Sequence, residues 1–377
     1  MTTDTALIEK RENLKRRLAS GEYKTLVGVL LGWFERLLRK ITRRKEPMPL
    51  WVVTLVLCII IPVVANSAIY FSGDWEANLR NSEIYGFGYQ VGLLINLSNG
   101  ALFIIMTVFI HQYLNRFFFL WRDIILDKTP TLESLEKFEN WLIKCCNWQA
   151  HLFTTIVFTV WSFVGGFFFG NAIPTLQQYS FGFMFTNSVN FVITSMMVYE
   201  AIMVLVLYAS LRDYDLELFG ADPESSEILA RLSSELGFFV YVIAFFIAIL
   251  SFWISRLGLL TSSFGIFVII AWWFPIIVFF LLYQTSLASI IRRAKWKTLN
   301  EIQSQVEELR TTGSLKDKET IEAINRLMDF HDRVKATRNS AIDSSTIVNF
   351  INSLLLPLLA FILGNLDKVL PLFARKP

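Results

Sequence analysis

Residues 51–71 read WVVTLVLCIIIPVVANSAIYF, with no charged side chain anywhere in the run. A helix that crosses a bilayer needs about 20 mostly apolar residues. This stretch therefore reads as a transmembrane helix, with Trp51 and Tyr70 as interfacial anchors at its two ends. The same window places further spans at 91–114, 149–170, 184–208, 237–257 and 264–287, so that with 50–71 there are six. The sixth contains Trp272, Trp273 and Pro275, and its proline is tolerable only where neighbours satisfy the freed carbonyl. A seventh apolar run, Ile347 to Leu363, spans about 17 residues, short for a crossing. It reads as a short span, a re-entrant segment or an interfacial helix.

Composition agrees. The chain is 54% hydrophobic and 18% charged, with a mean hydropathy of +0.48. Soluble domains sit nearer 45–50% apolar and about 25% charged, and here the excess falls in long runs that a globular core cannot use. That excludes a soluble enzyme. Thirty-four Phe and eleven Trp suit lipid contact and interfacial belts. The first apolar run begins near Leu50, too late for the h-region of a cleaved signal peptide. The expected class is thus all-α: a polytopic integral membrane protein with six transmembrane helices, a short seventh apolar segment and a cytoplasmic helical hairpin.

Orientation follows from Lys and Arg in the connections. Residues 1–49 carry twelve, and the segments 115–148, 209–236 and 288–346 add five, two and eleven. The alternate segments 72–90, 171–183 and 258–263 hold only Arg80, with Arg256 at the end of span five. This bias places the N-terminus in the cytoplasm, in a plasma (inner) membrane. Four regions result: a basic amphipathic arm over 1–49, a transmembrane bundle over 50–290, a cytoplasmic hairpin over 291–345, and the apolar segment and tail over 346–377. The hairpin is expected as helices 294–310 and 318–335, with stripes Leu299, Ile302, Val306, Leu309 and Ile321, Ile324, Leu327, Met328, Val334. Within the arm, apolar residues from Tyr23 to Ile41 recur at three and four positions. Arg36, Arg39, Lys40, Arg43 and Arg44 gather toward its end. A basic helix with one apolar face lies on the surface of an anionic leaflet. The bilayer is thus the expected partner, nucleic acid is not, and a homo-oligomer with a protein partner at the hairpin completes the expectation.

Covalent chemistry has no support in the sequence. Cys58, Cys145 and Cys146 make no disulfide framework, and His111, His151 and His331 lack ligands at metal-site spacing. No phosphate loop, nucleophile elbow or cofactor fingerprint appears, so neither an enzyme nor a cofactor nor a metal is expected. Polar residues inside the spans carry more information. Glu200 stands well inside span four, where a carboxylate costs on the order of 2.5–3.5 kcal/mol on insertion scales and so needs a partner or water. By depth, its best partner is His111 in span two. Asn96, Asn99, Thr107 and His111 share one broad side of span two. Asn187, Asn190 and Thr194 share one side of span four, with Glu200 turned well away from it.

In the C-terminal run, Asn349, Asn352 and Ser353 add polar groups, Pro357 frees a carbonyl, and Ala360 and Gly364 permit close helix packing. Together with Glu200 and the span-two residues these are the pore or path candidates, and Ala360 and Gly364 the oligomer contacts. The leading expectation is a channel-like oligomer conducting ions or small solutes, assembled or gated by the hairpin. The alternatives are a secondary transporter using Glu200 and His111 as proton-linked groups, or a membrane-anchored scaffold or sensor without transport.

Overall fold

The computed structural model describes residues 3–71, 89–170, 181–256, 263–312 and 318–337, and every regular element among them is helical. Two helices precede the first span, α1 (Thr3–Ala19) and α2 (Leu26–Thr42). Then come α3 (Leu50–Phe71), α4 (Tyr89–Leu120), α5 (Leu132–Cys145), α6 (Trp148–Gly170), α7 (Phe181–Ser210), α8 (Glu227–Arg256), α9 (Ser263–Thr312) and α10 (Lys318–Ala336). Among the described residues, five helices are long and apolar enough to cross a membrane: α3, α4, α7, α8 and α9. The remaining expected span, 149–170, coincides with α6, a helix of 23 residues.

In the bundle, α7 lies centrally, against α3, α4, α6 and α9, while α8 packs on α4 and α9. Gly100 allows α3 and α4 to meet closely, because a Cβ there would stand 3.0 Å from Pro62 Cγ. The densest packing lies at one end, here called the basal end, where α4, α7, α8 and α9 continue past the apolar windows. Phe117, Trp121, Tyr208, Leu211, Leu232 and Tyr283 are buried there in one cluster.

The connection 115–148, read from sequence only as a charged link between spans, supplies much of that core. After α4 the chain makes one π-helical turn, Trp121–Ile125, and one 3-10 turn, Leu126–Lys128. It then forms α5, whose Leu135, Phe138, Trp141, Leu142 and Cys145 are buried. The arm 1–49 comprises two helices with different partners. α1 is clamped to the base by ion pairs from Lys10 and Arg17 to Glu139 and from Lys15 to Asp127, and Leu14 enters the core. α2 buries Val27 and Leu38 and leaves Val29, Leu30, Trp33 and Ile41 exposed.

One boundary differs from expectation. The step from bundle to hairpin, expected between 290 and 291, falls inside α9, which runs unbroken for 50 residues. At 1.5 Å per residue that is about 75 Å of helix. The hairpin is the distal part of α9 with α10 folded against it: Leu299, Ile302 and Val334 form its small core, with Leu327 packed on it. Lys295 fastens the far end of α10, donating to the carbonyls of Lys335 at 2.8 Å and Thr337 at 2.6 Å. A cation at a helix C-terminus satisfies carbonyls that have no intrahelical donor.

Candidate functional site

Three helices and one helix cap converge on His111. Thr25 precedes α2 in an extended conformation (φ −73°, ψ 164°), and its Oγ1 accepts from the Gly28 N–H at 3.2 Å. This is an N-cap, which satisfies one of the orphan donors of a helix start. The same Oγ1 lies 3.1 Å from His111 Nδ1. On α4, Asn115 sits one turn beyond His111, and its Nδ2 lies 2.9 Å from His111 Nε2. From α7, Glu200 Oε1 reaches His111 Nδ1 at 3.2 Å. Glu200 is 0% exposed and His111 6%. The structure thus joins the two residues that depth alone had paired.

The contacts set the proton inventory. With the Asn115 amide N–H donating to Nε2, the ring proton sits on Nδ1, between the Glu200 carboxylate and the Thr25 hydroxyl. Glu200 Oε2 has no hydrogen-bond partner among the described residues. The N-terminus of α2, the positive end of its dipole, abuts the pair and favours negative charge there. Close beneath lies Cys145, a free thiol whose pKa is pushed up by a hydrogen bond with Cys146 and by burial, so it stays protonated. A protonated buried thiol is neither a nucleophile nor a metal ligand. What the arrangement can do is hold and release a proton beside the end of a surface helix.

Gly28 makes that approach possible, since a Cβ at this position would lie 2.8 Å from His111 Cε1. The ring is held on both nitrogens and has little room to swing. Gly28→Ala is therefore expected to lift α2 from the bundle at a cost of about 1–3 kcal/mol, the usual range for overpacking. Gly32, four residues on, has nothing within 4 Å of an added Cβ. There an alanine should only remove glycine's entropy cost and stabilise by up to about 1 kcal/mol. Limited trypsin digestion between Arg36 and Lys45 reads the difference: faster cleavage in Gly28→Ala, slower or unchanged in Gly32→Ala. Equal rates in both variants would break the argument.

The remaining sequence candidates divide. Thr107 Oγ1 donates to the Phe103 carbonyl at 2.8 Å and lies 3.4 Å from the Ile193 carbonyl, which ties α4 to α7. Arg36 and Lys40 on α2 and Arg43 and Arg44 just past its end are exposed, and Arg39 pairs with Glu35 at 2.8 Å. The side chains of Asn96, Asn99 and Asn187, and all of Asn349, Asn352, Ser353, Pro357, Ala360 and Gly364, lie outside the described residues. Sequence reasoning missed Thr25, Gly28 and Asn115. Their signals were a Thr three residues before a Gly at the head of an apolar periodic run, and an Asn four residues after the histidine. No family model, curated protein or solved structure matches the chain.

Proposed function

We propose that this chain is a proton-linked membrane protein of the secondary-transporter kind, with His111 and Glu200 as the groups that bind and release the coupling proton. The observation that carries the reading is the wholly buried Glu200 held 3.2 Å from His111 Nδ1. Ionisable groups at membrane depth are costly, and where they persist they mark ion or proton pathways. An open pore would require a continuous polar lining. The one candidate lining residue on span two with a described side chain besides His111, Thr107, is committed to helix–helix hydrogen bonds.

In this reading the chain crosses the bilayer six times, α6 included, with the N-terminus and hairpin in the cytoplasm. The Lys and Arg bias of the connections supports that orientation. α6 supports the count, because Phe153, Ile156, Val157 and Val160 are exposed on its outer side. α2 lies on the anionic cytoplasmic leaflet, with Trp33 and Ile41 toward lipid and its basic residues at the headgroups.

The test is flux in reconstituted vesicles carrying a pH-sensitive dye, challenged with a panel of ions and small solutes under an imposed pH gradient. Wild type is expected to move at least one solute together with protons. Glu200→Gln keeps the shape and hydrogen bonding of a protonated carboxyl, and should lower that flux tenfold or more while expression and folding hold. Flux indifferent to the pH gradient, or unchanged in Glu200→Gln, overturns the proposal.

A further inference from the structure

α6 is built inside out for a water-soluble helix and right for a lipid-bathed one. Its outward side chains are apolar, while the side turned to the bundle repeats polar residues every fourth position: His151, Thr155 and Thr159. His151 is 0% exposed and Thr155 4%. They face α7, where His151 stacks on Tyr199 with ring centroids 4.4 Å apart.

The hydrogen bonds on this seam are incomplete in one consistent way. His151 Nε2 lies 3.1 Å from the Met196 carbonyl. A carbonyl only accepts, so the ring proton is on Nε2, and Nδ1 of the neutral ring is a bare lone pair. Among the described residues, Nδ1 has no partner, nor has Thr155 Oγ1, nor Glu200 Oε2 one helical turn beyond Met196 on α7. Farther along, Ser195 Oγ donates to the Phe191 carbonyl at 2.6 Å, which leaves it free to accept from Thr159 Oγ1 at 3.4 Å. Three buried polar atoms without partners on one seam are costly if dry, at roughly 1–3 kcal/mol each. Internal water is the ordinary remedy at a polar site.

We infer that His151, Thr155, Thr159 and Ser195 form a hydrated proton path that leads away from Glu200 between α6 and α7. The occupant is water, and the species carried is the proton. A proton arriving on Glu200 Oε2 passes to a neighbouring water, which hands one of its own protons to the next acceptor. His151 takes the proton on Nδ1 and releases it from that same nitrogen to the next water, its Nε2 proton staying in the hydrogen bond to the Met196 carbonyl. Thr155 accepts one proton as it gives up its own. Ser195, held to the Phe191 carbonyl, orients Thr159 and passes no proton itself. The path covers the eight residue steps from His151 to Thr159, about 12 Å of helix rise. It rests on the proton-linked reading of the His111–Glu200 pair.

Two readouts separate its failure from the failure of that reading. The first is infrared and needs no transport. At a pH acid enough to protonate Glu200, its carboxyl band is identified by its loss in Glu200→Gln, and its exchange is timed after a switch to D2O. Thr155→Val, isosteric but without the hydroxyl, should slow that exchange tenfold or more, and so should His151→Phe, which keeps the stack on Tyr199. Thr155→Ser should restore the wild-type rate and so controls for misfolding. Wild-type exchange in both Thr155→Val and His151→Phe overturns the path. The second readout is vesicle proton flux, expected to fall tenfold or more in Thr155→Val with the thermal midpoint unchanged. If Glu200→Gln abolishes flux but Thr155→Val does not, the pair stands and the path falls. If flux ignores Glu200→Gln while the infrared exchange still depends on Thr155, the path stands as a water file and the transport role of the pair falls.

Discussion

Replacing His111 with Ala is expected to destabilise the protein by about 3–5 kcal/mol, the cost of leaving a buried carboxylate without the donor it has. Glu200 is fully buried, its Oε1 lies 3.2 Å from His111 Nδ1, and its Oε2 has no partner among the described residues. The truncation also strands the Asn115 amide, while the Thr25 hydroxyl loses the imidazole but keeps the Gly28 N–H. Removing both members should tell a different story. In His111→Ala/Glu200→Leu no buried carboxyl is left to desolvate, so most of the loss should be recovered, and a double-mutant cycle isolates the coupling. Because a protonated carboxyl is cheaper to bury than a carboxylate, the single variant should lose less stability in acid than at neutral pH. Chemical unfolding in mixed micelles at two pH values measures all three effects. A His111→Ala variant within 1 kcal/mol of wild type would mean that Glu200 is already neutral and satisfied by other means.

The pair was legible because depth is a one-dimensional quantity. Counting residues from the ends of two apolar runs that cross in the same direction puts His111 and Glu200 at similar heights, and an isolated carboxyl must find something. The rest of the site was not, because it depends on which way a surface helix turns. In α2 the apolar residues serve two purposes: Val27 and Leu38 face protein, whereas Val29, Leu30, Trp33 and Ile41 stay exposed. Periodicity marks an apolar stripe but does not say which edge of it meets the bundle. Hence Thr25 and Gly28, which touch His111, carried no special weight in the sequence.

The continuity of α9 and the whole of α5 were missed for the opposite reason, that hydropathy windows measure lipid compatibility rather than helix extent. No Gly or Pro separates Ile276 from Thr312, so nothing in the chain stops α9 where its apolar run stops. The window ended at 287 and the helix did not. Likewise α5 carries Glu133, Glu136, Lys137, Glu139 and Lys144, and its mean hydropathy hides the spacing of Leu135, Phe138, Leu142 and Cys145. That three-and-four spacing is a helix signature in its own right. Its apolar face had to go somewhere, and it closes the basal end of the bundle.

That closure makes Trp121→Ala the second large loss, expected at about 3–5 kcal/mol for a buried Trp truncated to Ala. The indole stands in the π-helical turn that ends α4 and is 0% exposed. It lies flat on Phe138 of α5, with centroids 4.0 Å apart and planes 7° from parallel, and meets Tyr214 edge-on at 5.3 Å. One side chain therefore joins α4, α5 and the segment after α7, and such aromatic pairs add about 0.5–1.5 kcal/mol beyond area burial. Its Nε1 has no hydrogen-bond partner among the described residues, so the loss is a packing loss. Trp121→Phe should then be mild, at roughly 1.5 kcal/mol or less, because it keeps a ring on Phe138 and removes an unsatisfied N–H. The damage should also travel to α1, which is held to α5 through Lys10, Arg17 and Glu139. In Trp121→Ala, trypsin should cut α1 faster than in wild type, and in Trp121→Phe at nearly the wild-type rate. If the two variants unfold at the same denaturant concentration as wild type, the aromatic stack is not what closes the base, and the ion pairs of α1 must hold α5 by themselves.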